Sequence, residues 1–290
     1  MNIAVVGDVH GHLALMYAVL GRWQKESGRR IDVILQCGDM GAFTDHSHID
    51  QATARWAEDD PDELGFAEFA RANPPATLLD PRPPLIFIPG NHEDFIFLDE
   101  REQSSPANEA IYSVSEDGRI SALKSGRIWT FECAGERARV AGISGVANRR
   151  HKKGRHLRYH LSDEDALRLA AEGPLSFDIL ISHDCPDGLQ VEDYRGMSGS
   201  PSLRFVIEET QPRYAFFAHY DRVDQWKVGA TQVFGLGKCS YERWGGWPLT
   251  EGGIAIINWD RTQSAVERLD AEWLTNSTRF DWRHWGYARS

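Results

Sequence analysis

The sequence predicts an α/β fold, on three observations. Apolar runs of about four residues recur between turn residues, at 3–6, 33–35, 85–88, 140–143, 179–181, 215–217, 232–234 and 254–257. They are rich in Val, Ile and Phe and read as buried strands, since helices need about ten residues or more. Segments with helical apolar spacing lie between several of them. Finally, the 290 residues are 41% hydrophobic and 11% aromatic, which excludes a disordered chain and supplies enough apolar surface for a sizeable core. Strands interleaved with helices define the class.

The elements follow in order. After the first strand, 13–25 carries apolar residues at Leu13, Met16, Leu20 and Trp23, spaced as on one helix face. Residues 42–84 are a polar, Pro-containing insertion between two strands. Within it Pro61 is expected to open a helix running to about Ala72, with Leu64, Phe66 and Phe69. Residues 98–128 show little apolar rhythm. Ser162, with Glu164 and Asp165 after it, has the form of a helix N-cap and acidic first turn leading into 166–171. From Ala271 the tail carries Trp273, Phe280, Trp282, Trp285 and Tyr287, expected to dock back on the body, with a partner or oligomer contact as the alternative. The organisation expected is one domain over 1–260, with 42–84 as an insertion and 261–290 as a tail packed on it.

Charge and cysteines bound the function. With 32 Lys+Arg and 43 Asp+Glu the net charge is −11, which argues against bulk nucleic-acid binding but not against a local basic patch. Cys37, Cys133, Cys185 and Cys239 form no C-x-x-C, so neither a disulfide framework nor a zinc knuckle is expected. No basic segment precedes a long apolar stretch at the start, and no run of about 18 apolar residues occurs. A cytoplasmic protein with no membrane association is expected.

The chemistry sits where strands end. Run 3–6 leads into Gly7-Asp8-Val9-His10-Gly11, and run 33–35 into Cys37-Gly38-Asp39. Run 85–88 leads into Gly90-Asn91-His92-Glu93, 179–181 into Ser182-His183-Asp184, and 215–217 into Ala218-His219-Tyr220-Asp221. In an α/β sheet such carboxyl ends share one rim, the usual place for a site. A lone Asp or His after a strand is commonly a turn former; five in register are not explained that way. Oxygen and imidazole donors without thiolate suit Mn, Fe, Zn or a similar divalent ion and are too nitrogen-rich for a calcium cage. Six donors, Asp8, His10, Asp39, Asn91, His183 and His219, exceed one tetrahedral ion. Two ions about 3.5–4 Å apart sharing a carboxylate are the economical reading, a device of phosphate-ester hydrolysis.

These strings resemble the calcineurin-like metallophosphoesterase superfamily, matched by Gly7-Asp8-Val9-His10-Gly11, Gly38-Asp39, Gly90-Asn91-His92-Glu93, Ser182-His183 and Ala218-His219. The resemblance implies a four-layer αββα sandwich of two mixed sheets, α/β (α+β), around two metals. The strand pair reaching about Asp260 would close it. Asp8, His10 and Asp39 would hold the first ion, Asp39 would bridge, and Asn91, His183 and His219 would complete the second. A hydroxide between the ions would attack phosphorus in line, with His92 protonating the leaving oxygen or binding the phosphoryl group.

Two departures matter. Many members end in Gly-His-x-His, whose second His binds the first ion; here Asp221 stands there, either as a ligand or with water filling the position. The protein-phosphatase branch carries an Asp-Arg-Gly shortly after its second motif; here Asp39 is followed by Met40-Gly41-Ala42-Phe43, and the Asp that orients the acid His in that branch is expected to be missing. A Ser/Thr protein phosphatase therefore trails. Local features are similar to RNA lariat debranching enzymes: Gly142-Ile143-Ser144-Gly145 before a basic loop, Ser182-His183-Asp184 with Pro186, and Ala218-His219. They imply a phosphodiesterase that accepts nucleic acid.

The basic loop holds Arg149, Arg150, Lys152, Lys153, Arg155 and Arg158 with no acidic residue between them. It is either a solvated surface run or a rim that grips substrate phosphates. His46 and His48 are expected at the surface, Cys185 in packing, and Gly235-Leu236-Gly237 as a strand-end turn. The function expected is hydrolysis of phosphate mono- or diesters with two divalent ions, nucleotides and nucleic acid being among the candidate substrates. The class-level rival is a non-catalytic module that binds metal or phosphate. Oligomeric state is not readable.

Overall fold

The computed structural model describes residues 1–148, 159–191, 199–242, 249–278 and 281. The basic loop residues Arg149, Arg150, Lys152, Lys153, Arg155 and Arg158 lie outside the described residues, as do Phe280, Trp282, Trp285 and Tyr287 of the tail.

Among the described residues, thirteen strands form two mixed sheets. In the first, β1 (Asn2–Val6), β2 (Val33–Gln36), β3 (Leu85–Phe87) and β5 (Ile120–Leu123) run parallel. Antiparallel β4 (Ile111–Ser113) borders β5, and β12 (Ile254–Asn258) with β13 (Ala265–Arg268) borders β1. In the second, β7 (Glu136–Ile143), β8 (Ile179–Ser182), β9 (Tyr214–Phe217) and β11 (Thr231–Gly235) run parallel. Antiparallel β6 (Arg127–Cys133) and β10 (Asp224–Val228) form its edges.

Strand side chains alternate between faces, so each central strand feeds two cores. Ile3, Val5, Val33, Leu35 and Ile257 meet Val140, Ile179, Ile181, Phe216 and Phe234 between the sheets. Ala4, Val6, Ile34, Phe87 and Ile256 face the other way. They pack against Leu13, Met16, Tyr17, Leu20 and Trp23 of α1 (Leu13–Ser27). Across the molecule, Ala141, Ile143, Leu180, Ala215 and Phe217 meet α5 (Asp163–Ala170) and α6 (Pro201–Thr210) through Ala166, Leu169, Leu203, Val206 and Ile207. The layers are therefore helix, sheet, sheet, helix. Burial on both faces is why the eight apolar runs show no polar alternation.

Several expectations need correcting. The helix expected from Pro61 to about Ala72 is two short turns, Pro61–Leu64 and Phe66–Phe69, separated by Gly65. A Cβ there would meet the Gly11 carbonyl oxygen at 2.6 Å, so the chain bends where it crosses the β1 loop. The 98–128 stretch holds the end of α4 (Phe95–Gln103), then β4, β5 and the start of β6. The first sheet also runs past Asp260, because β13 pairs with β12 and Leu269 and Leu274 are buried in the α1-side core. Ser162 caps α5 as expected, its side chain accepting from the Asp165 N–H. Trp273 packs against the α1-side core beneath the Arg22 guanidinium.

Candidate metal centre

Parallel strands bring the carboxyl ends of β1, β2, β3, β8 and β9 to one rim, where they line a cleft of about 450 Å3. Ligand atoms of Asp8, His10 and Asp39 lie within 4.8 Å of one another, as do those of Asp39, His183 and His219. Asp39 belongs to both sets. Its two oxygens are divided between tasks. Oδ1 accepts the Asn91 N–H at 2.6 Å and the His92 N–H at 2.8 Å, while Oδ2 faces His183 Nε2 at 3.3 Å and His10 Nε2 at 3.8 Å. Asn91 Oδ1 lies 3.1 Å from His183 Nε2, which brings Asn91 to the same group. Asp8 Oδ2 stands 3.8 Å from His10 Nε2, and its Oδ1 accepts the His219 N–H at 3.2 Å.

The backbone is distorted to achieve this. His10, Asp39, His219 and Asp221 all have left-handed conformations, with φ of 43°, 52°, 67° and 51°. Such strain at non-glycine residues persists where surrounding structure enforces it, and it concentrates at functional sites. The enforcing groups are visible. His10 and Val9 both donate to the Asp39 carbonyl, and Gly11 donates to that of Met40. Glu93, buried, accepts from the N–H groups of Met40, Ala42 and Gly90. Burial, then the nearby Asp39 charge, push the Glu93 carboxyl up to about 7.

Electrostatics bind the set together. Burial pushes the Asp39 carboxyl up, but the charge of His183 and its hydrogen bond outweigh this and hold it well below the usual range. Burial alone would lower His183; the Asp39 and Asp8 carboxylates instead carry it up to about 10. Its Nδ1–H donates to the Cys37 carbonyl at 3.1 Å, which orients the ring so that Nε2 faces Asp39. Two buried carboxylates amid imidazoles are a donor set of mixed hardness, fitting divalent ions of the Mn–Fe–Zn range.

His92 lies beside these groups, its ring centroid 5.7 Å from that of His10. The Asp expected to be missing has a substitute from elsewhere in the chain. Asp50, from the insertion, places Oδ2 3.0 Å from His92 Nδ1. Burial opposes charge on His92, but Asp50 dominates together with Asp39 and raises it to about 9. Asp50 also caps α2 (Gln51–Ala57), accepting from Ala52 and Thr53. That N-cap pattern, Asp followed by a helical segment, was the available signal, but the helix expected in the insertion was placed from Pro61 onward.

Asp221 is engaged outside both sets: its Oδ2 pairs with Lys238 Nζ at 3.0 Å. His46 is exposed, whereas half-buried His48 bonds to Asp94 at 3.0 Å. Cys185 is buried in the α5–α6 core. The insertion contributes further to the cleft wall. Asp60 reaches buried His12 Nε2 at 3.1 Å and, against the cost of burial, raises it to about 9, with Glu63 adding to the shift.

A two-sheet sandwich with carboxylate, amide and imidazole donors gathered on one rim defines a metallophosphoesterase-type architecture. The chain belongs to the calcineurin-like phosphoesterase family, whose model matches residues 1–221. That family is metal-dependent. A lariat debranching enzyme of Arabidopsis thaliana is 27% identical over 76% of this chain and 54% of its own length. One of Schizosaccharomyces pombe is 28% identical over 76% of this chain and 48% of its own. The chain thus spans about half the length of these curated relatives. Among solved structures, GAP50, the anchor in the inner membrane complex of Plasmodium, shares the fold at a TM-score of 0.52 and 11% identity, covering 96% of this chain and 87% of that one.

Proposed function

We propose that this chain is a metal-dependent phosphodiesterase that accepts nucleic acid, with branched RNA of the lariat type as the leading substrate. The observation that carries the chemistry is the pair of donor sets sharing Asp39, with His92 beside them and oriented by Asp50. In this reading Asp8, His10 and Asp39 would hold one divalent ion, and Asp39, Asn91, His183 and His219 would hold the other. Bound ions would supply a water of lowered pKa and neutralise charge on the phosphoryl oxygens. Asp39 commits Oδ1 to backbone N–H groups and turns Oδ2 toward His183 and His10, one from each donor set. His92 keeps Nδ1–H on Asp50 and offers its Nε2 proton to the leaving oxygen. The names of the curated relatives support the substrate class. The Asp50–His92 pair removes one objection to a protein phosphatase, but the Asp-Arg-Gly that follows the second motif in that branch is absent, Asp39 being followed by Met40-Gly41-Ala42-Phe43.

The test is hydrolysis by Mn-loaded protein of bis-p-nitrophenyl phosphate, p-nitrophenyl phosphate and a synthetic branched oligoribonucleotide, with and without chelator. Chelator-sensitive cleavage at the branch, with diester preferred over monoester, is expected. Turnover of the monoester alone would remove the diesterase reading.

A further inference from the structure

Asp221 occupies the place where many family members carry a second His, yet it contacts a lysine. The two side chains meet at 3.0 Å on the wall of the metal cleft. Lys238 is 37% exposed and Asp221 52% exposed. A pair this open contributes little to stability, because solvent screens it and two long side chains must be ordered. Its construction points elsewhere.

The backbone of Lys238 is fixed on every side. Cys239 N–H donates to the Asp8 carbonyl at 2.7 Å, and Gly237 N–H to that of Gly252 at 3.0 Å. The Thr250 hydroxyl donates to the Lys238 carbonyl itself. The lysine is thereby tied to the same turn that presents Asp8. Asp221, in its left-handed conformation, fixes the far end of the side chain. Among the described residues lining the cleft, Lys238 is the sole Lys or Arg, while Asp60, Glu63, Asp221, Glu242 and Glu251 all carry carboxylates. An anionic ester meeting that wall finds one permanent cation. An ammonium has three N–H donors and Asp221 engages one side of it, leaving donors for a phosphoryl oxygen.

We propose that Lys238, held in place by Asp221, is a phosphate-binding residue of the cleft that receives a non-bridging oxygen of the substrate. This rests on the phosphoesterase reading for its role in turnover, though not for phosphate binding as such. Asp221 then acts through Lys238, as a positioning residue.

The experiment uses Mn-loaded full chain and the variants Lys238→Ala, Lys238→Arg and Asp221→Asn. Calorimetry gives the Kd of inorganic phosphate, steady-state kinetics give KM and kcat for bis-p-nitrophenyl phosphate, and elemental analysis gives bound metal. Lys238→Ala is expected to weaken phosphate and raise KM each by about 10-fold or more, the size of one charge-assisted hydrogen bond. Its kcat should stay within about threefold and its metal content should not change, since uniform binding is what is lost. Lys238→Arg should recover most of the loss, and Asp221→Asn should fall between. An unchanged phosphate Kd in Lys238→Ala, no phosphate binding by the unaltered protein, or metal loss in the variant overturns the proposal. Phosphate binding that depends on Lys238 in a protein that cleaves no ester would retain it while ending the phosphoesterase reading.

Discussion

Asp50 has two roles whose consequences can be separated. It caps α2 and it orients His92. Asn caps a helix about as well as Asp but carries no charge. Asp50→Asn should therefore keep the fold and bound metal while lowering kcat about 10- to 100-fold, through a His92 no longer held in one orientation. Circular dichroism, metal content and kcat measured together would check this, and a kcat within twofold of the original would remove Asp50 from the mechanism. At this scale the sequence was informative about donors and poor about their supports. Asp8, His10, Asp39, Asn91, His183 and His219 were legible because each follows a strand. Asp50, Glu93 and Lys238 were not, since their roles depend on partners 42 and 51–53 residues away, or, for Lys238, on a turn brought beside Asp8 by β-sheet pairing.

Elements were legible according to how deeply they are buried. All eight apolar runs are strands, because both faces of each meet a core. The unforeseen strands are mainly at sheet edges, where β6, β10 and β13 alternate partly buried with exposed residues and carry Arg, Glu, Asp and Lys. The turns after the strands were legible as glycine-rich, but not what each glycine avoids. Gly38 has φ +99°, and a Cβ there would lie 2.5 Å from the His183 ring; Gly28 has φ +66° with nothing within 4 Å. Both Ala variants bear the left-handed penalty of about 1–2 kcal/mol. Gly38→Ala should also displace His183 and weaken metal binding by about tenfold or more, whereas Gly28→Ala should leave it unchanged. Metal titration of the two proteins separates these outcomes, and equal affinities would mean that His183 is not a ligand.

For the molecule as a whole, the net charge of −11 is echoed at the cleft, whose described lining sets seven carboxylates against one lysine. Asp8 and Asp39 are buried at the meeting point of both sheets, so cations bound there should join the sheets thermodynamically. Mn at about 100 times its Kd adds about 2.7 kcal/mol, which for a chain of this size is a rise in Tm of about 4 °C, reversed by chelator. Thermal unfolding insensitive to both would count against the two-ion assignment. The break in the helix expected from Pro61 and the contact of Asp50 with His92 were missed for a common reason: each is decided by packing between segments remote in the chain.

The place of β1 between β2 and β12 also has a consequence for biosynthesis. Asn2 pairs with Asn258, so the strand that presents Asp8 and His10 lacks one neighbour until residue 258 has left the ribosome. At about 5–20 residues per second that interval is about 13–50 s. Throughout it, one edge of β1 exposes open backbone hydrogen-bonding groups beside an apolar face, a surface that chaperones bind and that stray strands can join. The strand that begins the centre is thus completed only by one about 250 residues further along, and a ribosome stalled before β12 should release a chain prone to aggregation.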